Sequence, residues 1–125
     1  MAKVKTIKLT QKFAGTDDLY RYLLKNVDFI GQSTGMQIQT PLKDRPICIT
    51  GKEKITERNI VFFASKSEYH ESLGEMLICA GAFNADVVVI FMPKINKAHL
   101  EPLNWLQRIC NDDTDFIVCE VSYSS

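Results

Sequence analysis

The amino-acid sequence predicts an α/β domain with a mixed β-sheet flanked by helices. Its second half, from Asn59 to Tyr123, alternates apolar strand-like segments with amphipathic ones, in the order strand, helix, strand, helix, strand. Shorter β-rich segments separated by turn residues precede it, which favours an added hairpin. With 125 residues, 46% of them hydrophobic, the chain is expected to form one domain, residues 1–125, around a substantial core.

The N-terminal part of the chain predicts a basic segment followed by one helix. We expect residues 1–15 to form a basic arm or an edge strand, because the lysines of Lys3–Leu9 would discourage edge-to-edge pairing with another sheet. Thr16 is a suitable N-cap residue. Two aspartates follow it in the first turn, where the helix dipole favours negative charge. The helix is expected to end near Asn26.

The middle of the chain predicts short strands separated by turns. Gly31 and Gly35 bracket a predicted turn. Met36–Thr40 and Pro46–Thr50 are predicted strands, and the proline of the second one fits the first residue of a strand. The polar segment from Gly51 to Arg58 is expected to form the loop of a hairpin.

The second half predicts three buried strands and two helices. In order, these are the strand Ile60–Ala64, the helix Glu68–Phe83, the strand Val87–Met92, the helix His99–Cys110 and the strand Phe116–Val121. The first helix is expected to bury one stripe of side chains, namely Leu73, Met76, Leu77 and Ala80. Trp105 falls at helical spacing with Leu106 and Ile109 and is expected to lie in the core.

The cysteines predict buried, reduced thiols in an intracellular, cytoplasmic protein. They lie in apolar surroundings without C-x-x-C spacing, at Cys48, Cys79, Cys110 and Cys119. No apolar run approaches the roughly 20 residues that span a bilayer, so no membrane association is expected. The chain also has no G-x-S-x-G motif, no P-loop and no glycine-rich dinucleotide motif, which leaves little support for nucleophilic catalysis.

The charges of the chain cancel overall but are unevenly distributed. Residues 1–66 hold twelve Lys and Arg against six Asp and Glu, whereas residues 67–125 hold three against nine. This asymmetry predicts one molecular face for phosphate and another for a metal or a basic partner. The alternative is that the two halves interleave in space and their charges mix.

Part of the second half resembles a known family. The segment Leu73–Ala85, L-G-E-M-L-I-C-A-G-A-F-N-A, is similar to the signature H-L-G-Q-L-L-T-Y-A-A-G-L-x-A, and His70 precedes it as the family's histidine does. Val88–Pro93 and the segment His99–Leu106 resemble that family's V-V-W-I-A-P and H-x-x-A-L-x-W-L-N segments. The family is an uncharacterised group of restriction-endonuclease-like domains in the PD-(D/E)xK nuclease superfamily.

The resemblance implies a three-layer sandwich, but it also reveals missing catalytic residues. In the superfamily, an acidic residue on one strand and a D/E-x-K or E-N-Q-like motif on the next strand hold a divalent metal. Here the motif register falls on Phe62–Ala64, and the preceding acidic position falls near Arg45 or Pro46. Phenylalanine provides no oxygen ligand for Mg²⁺. We therefore expect no catalytic residue, no metal ligand and no cofactor.

The leading functional hypothesis is a non-catalytic module of the nuclease fold. It would bind nucleic acid or a protein partner in a nucleic-acid-processing context. The candidate nucleic-acid-binding residues are Lys3, Lys5, Lys8, Lys12, Lys66 and His70. His70 and His99 lie near the starts of the two predicted helices. The alternative to a functional role for these histidines is structural hydrogen bonding.

Two other functions are compatible with the sequence. The first is an active Mg²⁺- or Mn²⁺-dependent nuclease with displaced catalytic groups, namely Asp44, Lys66, Glu68 and Glu75, of which Asp44 and Glu75 would hold the metal. The alternative for these charges is that they form a solvated helix surface. The second is a homo-oligomeric scaffold that buries Phe62 or Phe63 between chains.

Overall fold

The computed structural model describes residues 2–9, 16–64, 69–95, 97–110 and 113–123. Its elements in chain order are β1 (Lys3–Leu9), α1 (Thr16–Lys25), α2 (Val27–Thr34), β2 (Lys43–Asp44), β3 (Ile49–Lys52), β4 (Asn59–Ala64), α3 (Tyr69–Ala82), β5 (Val87–Met92), α4 (Lys97–Ile109) and β6 (Asp115–Tyr123).

A single mixed sheet organises these elements. Its strand order is β1-β6-β5-β4-β3-β2. The four strands β1, β6, β5 and β4 run parallel, whereas β3 and β2 pair antiparallel to their neighbours. The carboxyl ends of the four parallel strands therefore lie at one end of the sheet, and the β3–β4 turn lies at the other end.

Helices cover both faces of the sheet. On one face α1 and α2 pack through Leu23, Val27 and Ile30. On the other face α3 and α4 pack through Met76, Cys79 and Leu103. Residues of β4 alternate between the two cores, and β5 is buried along its whole length. The predicted α/β class and mixed sheet are confirmed, and the arrangement has three layers.

Strand β1 lies at the edge of the sheet. An edge strand was one of the two alternatives predicted for residues 1–15. It pairs with β6 on one side only. Lys3, Lys5 and Lys8 are all exposed on it, whereas Ile7 is buried against α1 and α2. The lysines thus leave the free edge charged, which disfavours pairing with a further strand.

The segment after α1 differs from the prediction because Gly31 and Gly35 do not bracket a turn. Gly31 lies inside α2, where a Cβ atom would come 2.7 Å from the carbonyl oxygen of Met36. Gly35 ends the helix with φ of 74°, a left-handed conformation that glycine adopts without strain. The sequence signal that indicated α2 was the helical spacing of Val27, Ile30 and Thr34, which are all buried in the structure.

Two of the predicted strands are displaced. Met36–Thr40 is not a strand, because it forms only one bridge, between Ile38 and Glu53. The prediction for Pro46–Thr50 was shifted, since the strand β3 begins at Ile49. The short strand β2 precedes it and was not predicted. By contrast, the predicted hairpin loop before β4 and the bounds of β5 are confirmed.

The side chains predicted for the helix cores are partly wrong. Trp105 is 54% exposed rather than buried. Leu103 and Gln107 face the core instead, and at about 100° per residue Trp105 points nearly opposite to Leu103. Leu77 is likewise 44% exposed, because Met76 and Cys79 define the inward face of α3.

The hypothesis that Phe62 or Phe63 is buried between chains is wrong. Phe62 is 0% exposed and Phe63 is 2% exposed within the chain itself. They point to opposite faces of β4, so that Phe62 packs below α1 and α2 and Phe63 packs below α3. Neither phenyl group is therefore accessible to a second chain.

The cysteines are free, as predicted. Cys48, Cys79 and Cys119 are buried, and Cys110 is partly buried. Burial, and to a smaller extent the neighbouring Cys79 thiol, raises the pKa of Cys48 to about 12. Burial also raises the pKa of Cys79 and Cys119, so the three buried thiols stay protonated and poorly nucleophilic at neutral pH. None of the described helices has the length and apolar character needed to cross a membrane.

An ion-pair cluster closes the end of the sheet where the β3–β4 turn lies. Arg58 donates to the carboxylate of Glu53 at 2.7 Å and to that of Asp115 at 3.0 Å. It thereby joins the turn to the first residue of β6. Nearby, the carboxylate of Asp86 accepts the backbone N–H of Asn59 at 2.8 Å, which fixes the start of β4 against β5.

The Glu53–Arg58 pair predicts a pH-dependent contribution to stability. The Arg58 guanidinium holds the pKa of Glu53 below its ordinary value of 4.5. Because this pKa is lower in the folded chain than in the unfolded chain, the stabilisation is present above the unfolded value and is lost as the pH falls through the folded value. We expect Glu53→Gln to lower the free energy of unfolding near pH 7, and the difference from the parent protein to shrink as the pH falls below the ordinary pKa of 4.5.

Urea denaturation at several pH values measures this difference. Glu57→Gln, which removes an exposed carboxylate from the same turn, is the matched control. A difference between Glu53→Gln and the parent that stays constant with pH would contradict the assignment.

Candidate functional site

A polar cavity of about 400 Å³ lies at the carboxyl end of β4. Four parts of the chain form it: α1, the segment between β2 and β3, the last residues of β4, and α3. Phe63 and Ala64 provide its apolar wall. Strand carboxyl ends are the usual place for ligand sites in sheets of this kind, because the connections diverge there and leave a crevice. We treat this cavity as the candidate site.

Helix α1 contributes three polar residues to the cavity, Asp17, Tyr20 and Arg21. Their spacing of three and four residues places them on one side of the helix. Leu23, nearly one turn after Tyr20, is buried against the sheet. Arg21 also forms an exposed ion pair with Asp18 at 3.3 Å, which contributes little to stability.

Tyr20 fixes α1 to the floor of the cavity. Its hydroxyl oxygen accepts the backbone N–H of Ala64 at 2.6 Å, and the hydroxyl donates to the carbonyl of Ile47 at 3.3 Å. Burial raises the pKa of Tyr20 well above its ordinary value, although the hydrogen bond from Ala64 partly opposes this. The phenol therefore remains protonated, and its role is to position α1, β4 and the β2–β3 segment.

Arg45 is held in a defined orientation beside the cavity. Its Nε donates to the hydroxyl of Thr50 at 3.1 Å, and its guanidinium lies 4.8 Å from the ring centre of Phe83. Its backbone N–H donates to the carbonyl of Cys48 at 2.9 Å, which closes the bend between β2 and β3. A guanidinium oriented in this way offers free N–H groups to an anion at little entropic cost.

The carboxylates Asp44 and Glu75 line the same cavity, from the end of β2 and from α3. Asp44 is exposed and Glu75 is half-buried. The other two residues of the alternative nuclease site, Lys66 and Glu68, lie outside the described residues. Within the described part of the chain, no group of three or more His, Cys, Asp and Glu residues is arranged to hold a metal ion.

Three of the candidate nucleic-acid-binding residues, Lys3, Lys5 and Lys8, lie along β1 at one edge of the sheet. Lys8 lies near the carboxyl end of β1, at the same end of the sheet as the cavity, whereas Lys3 lies about 17 Å away at the opposite end. Lys5 lies between them. Lys12 falls outside the described residues. The backbone of His70 belongs to α3, as that of His99 belongs to α4, but neither side chain is among those described.

The segments that the family resemblance places at the metal-binding positions, Arg45–Pro46 and Phe62–Ala64, both adjoin this cavity, although Phe62 itself packs into the core below α1 and α2. Arg45 and Pro46 line it on one side, and Phe63 and Ala64 line it on the other. The residues at these positions present a guanidinium, a pyrrolidine ring, a phenyl ring and a methyl group. None of these provides the oxygen ligands that Mg²⁺ or Mn²⁺ requires, so these positions do not fit such a metal.

Sequence reasoning missed Tyr20, Arg21 and Arg45 as residues of the site. For Tyr20 and Arg21, the available signal was their helical spacing with Asp17. Arg45 stands next to Asp44 and directly before a proline, a position that indicates a bend after β2. No local pattern indicated that these segments would meet, because they contact one another only across the folded sheet.

No protein-family model matches the chain, and neither do the curated proteins or the solved structures with which it was compared. The interpretation of the site therefore rests on its own geometry and chemistry.

The hydroxyl of Tyr20 is expected to stabilise the cavity wall. Tyr20→Phe removes the acceptor of the Ala64 N–H and leaves that buried amide unpaired, which costs about 1–3 kcal/mol. Urea denaturation measures the loss, and hydrogen exchange at the Ala64 amide locates it. The amide of Val61, in the same strand, is the internal reference. Equal exchange at Ala64 in both proteins would contradict this role for the hydroxyl.

Proposed function

We propose that the chain is a non-catalytic domain of the restriction-endonuclease-like fold that binds nucleic acid in a nucleic-acid-processing context. One observation carries the proposal. The segments that the resemblance places at the two metal-binding positions, Arg45–Pro46 and Phe62–Ala64, both reach one cavity, and Phe63 and Ala64 of the second segment line it. The antiparallel pairing of β3 with β4 brings the two segments together at this end of the sheet. The three-layer arrangement and the mixed sheet agree with that fold.

The composition of the cavity supports the loss of catalysis. Metal-dependent phosphodiester cleavage needs a cation that activates water and stabilises charge on the phosphate. Phe63 and Ala64 are only 2% and 3% exposed. They stand where the resemblance places a metal-binding motif, and their apolar groups fill the space at that position. The Arg45 guanidinium brings positive charge to the other position, where a second cation would be repelled.

The distribution of cations supports nucleic acid as the ligand. Arg21 and Arg45 line the cavity, and Lys8 and Lys94 are exposed at the same end of the sheet. Arginine binds phosphate in a bidentate manner, and lysine adds a mobile point charge. The cavity itself carries three carboxylates, Asp17, Asp44 and Glu75, against two guanidinium groups, so the additional positive charge that attracts a phosphate comes from Lys8 and Lys94 outside it. Binding is therefore expected to be moderate and strongly salt-dependent.

The phosphate-binding role of this end of the sheet is testable by charge reversal. Fluorescence anisotropy with labelled duplex and single-stranded oligonucleotides, at two or more salt concentrations, measures the affinity and its salt dependence. Lys8→Glu and Arg21→Glu are each expected to weaken binding, and to reduce the slope of log affinity against log salt by about 1.

Lys54→Glu is the matched control, because it makes the same charge change on an exposed residue at the opposite end of the sheet. Absence of binding at low salt would refute nucleic acid as the ligand. An equal loss in Lys54→Glu would show that the binding is non-specific attraction rather than recognition by this end of the sheet.

A second candidate function is divalent-metal-dependent nuclease activity with displaced ligands. The convergence of Asp44 and Glu75 on the cavity favours it, since two carboxylates with water molecules can hold Mg²⁺ or Mn²⁺. Incubation with plasmid DNA and Mn²⁺ tests it directly. If this function holds, Asp44→Ala and Glu75→Ala each abolish cleavage, whereas Asp113→Ala, an exposed carboxylate at the opposite end of the sheet, does not. An absence of cleavage by the parent protein would exclude it.

A further inference from the structure

The outer surface of α4 carries large apolar side chains that are more than half exposed. Trp105 is 54% exposed and Ile109 is 56% exposed, and their spacing of four residues places them on adjacent turns. Trp105 is also the only tryptophan of the chain. Such large, rigid side chains on a surface mark an interaction site more often than an isolated exposed leucine does.

The neighbouring helix of the same layer is apolar on its outer side as well. Leu77 is 44% exposed and Ile78 is 64% exposed on α3. Between Glu75 and Asp86 the chain has no charged residue. Four of the seven large exposed hydrophobic residues in the described part of the chain thus lie on the two helices that cover one face of the sheet. The opposite helical layer has none.

The charges around Trp105 indicate what kind of partner fits. Glu101 lies one turn before it and Arg108 lies nearly one turn after it, and both are exposed. Along the helix axis these offsets are about 6 Å and about 4.5 Å. The two charges are therefore nearly equidistant from Trp105 and opposite in sign.

A second copy of α4 that runs antiparallel to the first would present a complementary pattern of charges to it. Rotation about a two-fold axis at Trp105 places Glu101 of each copy beside Arg108 of the other, and it brings the two indole rings together. A parallel pairing would instead place like charges side by side. Isologous contacts use one self-complementary patch in this manner. Glu101 also pairs with Lys97 at 3.7 Å within the helix, but that pair is fully solvated and weak.

We infer that the chain forms an antiparallel two-fold dimer through the outer surface of α4, centred on Trp105. Two other occupants fit this surface less well. A stacked nucleic-acid base would bring its phosphate near Glu101, and an anionic membrane would meet the same carboxylate. The surface shares no residue with the cavity at the end of β4. Dimerisation and nucleic-acid binding are therefore independent claims.

The fluorescence of the single tryptophan reports directly on this contact. Dilution from about 1 mM to about 1 µM spans the dissociation constants of ordinary transient dimers. We expect the emission to shift to longer wavelength on dilution as Trp105 becomes exposed to water. Sedimentation velocity is expected to show the conversion of dimer to monomer over the same range. A monomer at every concentration would overturn the inference.

Charge reversal tests the geometry. Glu101→Arg and Arg108→Glu each create two like-charge contacts across the axis, and each is expected to weaken self-association at least about tenfold. A mixture of the two variants restores both opposite-charge contacts and is expected to form a heterodimer with about the parent affinity. Trp105→Ala is expected to be monomeric, whereas Ile55→Ala, an exposed apolar residue of the β3–β4 turn, dimerises normally.

The outcomes that would overturn the inference are distinct. A dimer that survives both charge reversals and Trp105→Ala uses another surface. If a mixture of Glu101→Arg and Arg108→Glu does not form the heterodimer, the antiparallel pairing is excluded. An emission shift seen only with single-stranded DNA or with anionic vesicles would assign the surface to one of those ligands instead. Circular dichroism of each variant confirms that α4 still folds.

Discussion

The burial of β4 and β5 on both faces is the constraint on which the rest of the structure depends. Five of the six residues of β4 and all six of β5 are buried. Parallel strands of this kind are stable only when helices remove both faces from water. The chain satisfies this by sending α1 and α2 to one side and α3 and α4 to the other. The same connections leave a crevice where the strands end, so the candidate site is a consequence of this topology.

The two ends of the sheet serve different purposes. At one end, Arg58 forms ion pairs with Glu53 and Asp115, so these charges are paired within the chain. At the other end Arg21 and Arg45 face a cavity together with carboxylates. Satisfied polar groups hold a fold together, whereas polar groups that face a cavity remain available to a ligand. The placement of charge therefore distinguishes the end of the sheet that is held by ion pairs from the end that carries the candidate site.

The proposed loss of catalysis and the proposed dimer both rest on apolar side chains at positions where polar side chains would be expected. At the end of β4, apolar groups lie where a metal site would need oxygen atoms. On α4, an indole ring lies where a solvated helix would carry a polar side chain. The exposed indole ring leaves apolar surface in contact with water, and a second copy of the chain would remove that surface from water. At the end of β4 the apolar groups are themselves buried, so the proposal of recognition there rests on the arginines of the cavity.

The sequence by itself predicted the α/β class, the bounds of β5 and the free cysteines, and it offered an edge strand as one of two alternatives for residues 1–15. These features follow from local periodicity and composition, which the chain carries within a few residues. It did not determine α2, because Gly31 resembles a turn residue until its close approach to Met36 is known. Only the tertiary structure decided that Trp105 faces water and that Tyr20, Arg45 and Glu75 share one cavity. Which side of a helix is buried, and which distant segments meet, depends on packing against the sheet, and no short stretch of sequence contains that information.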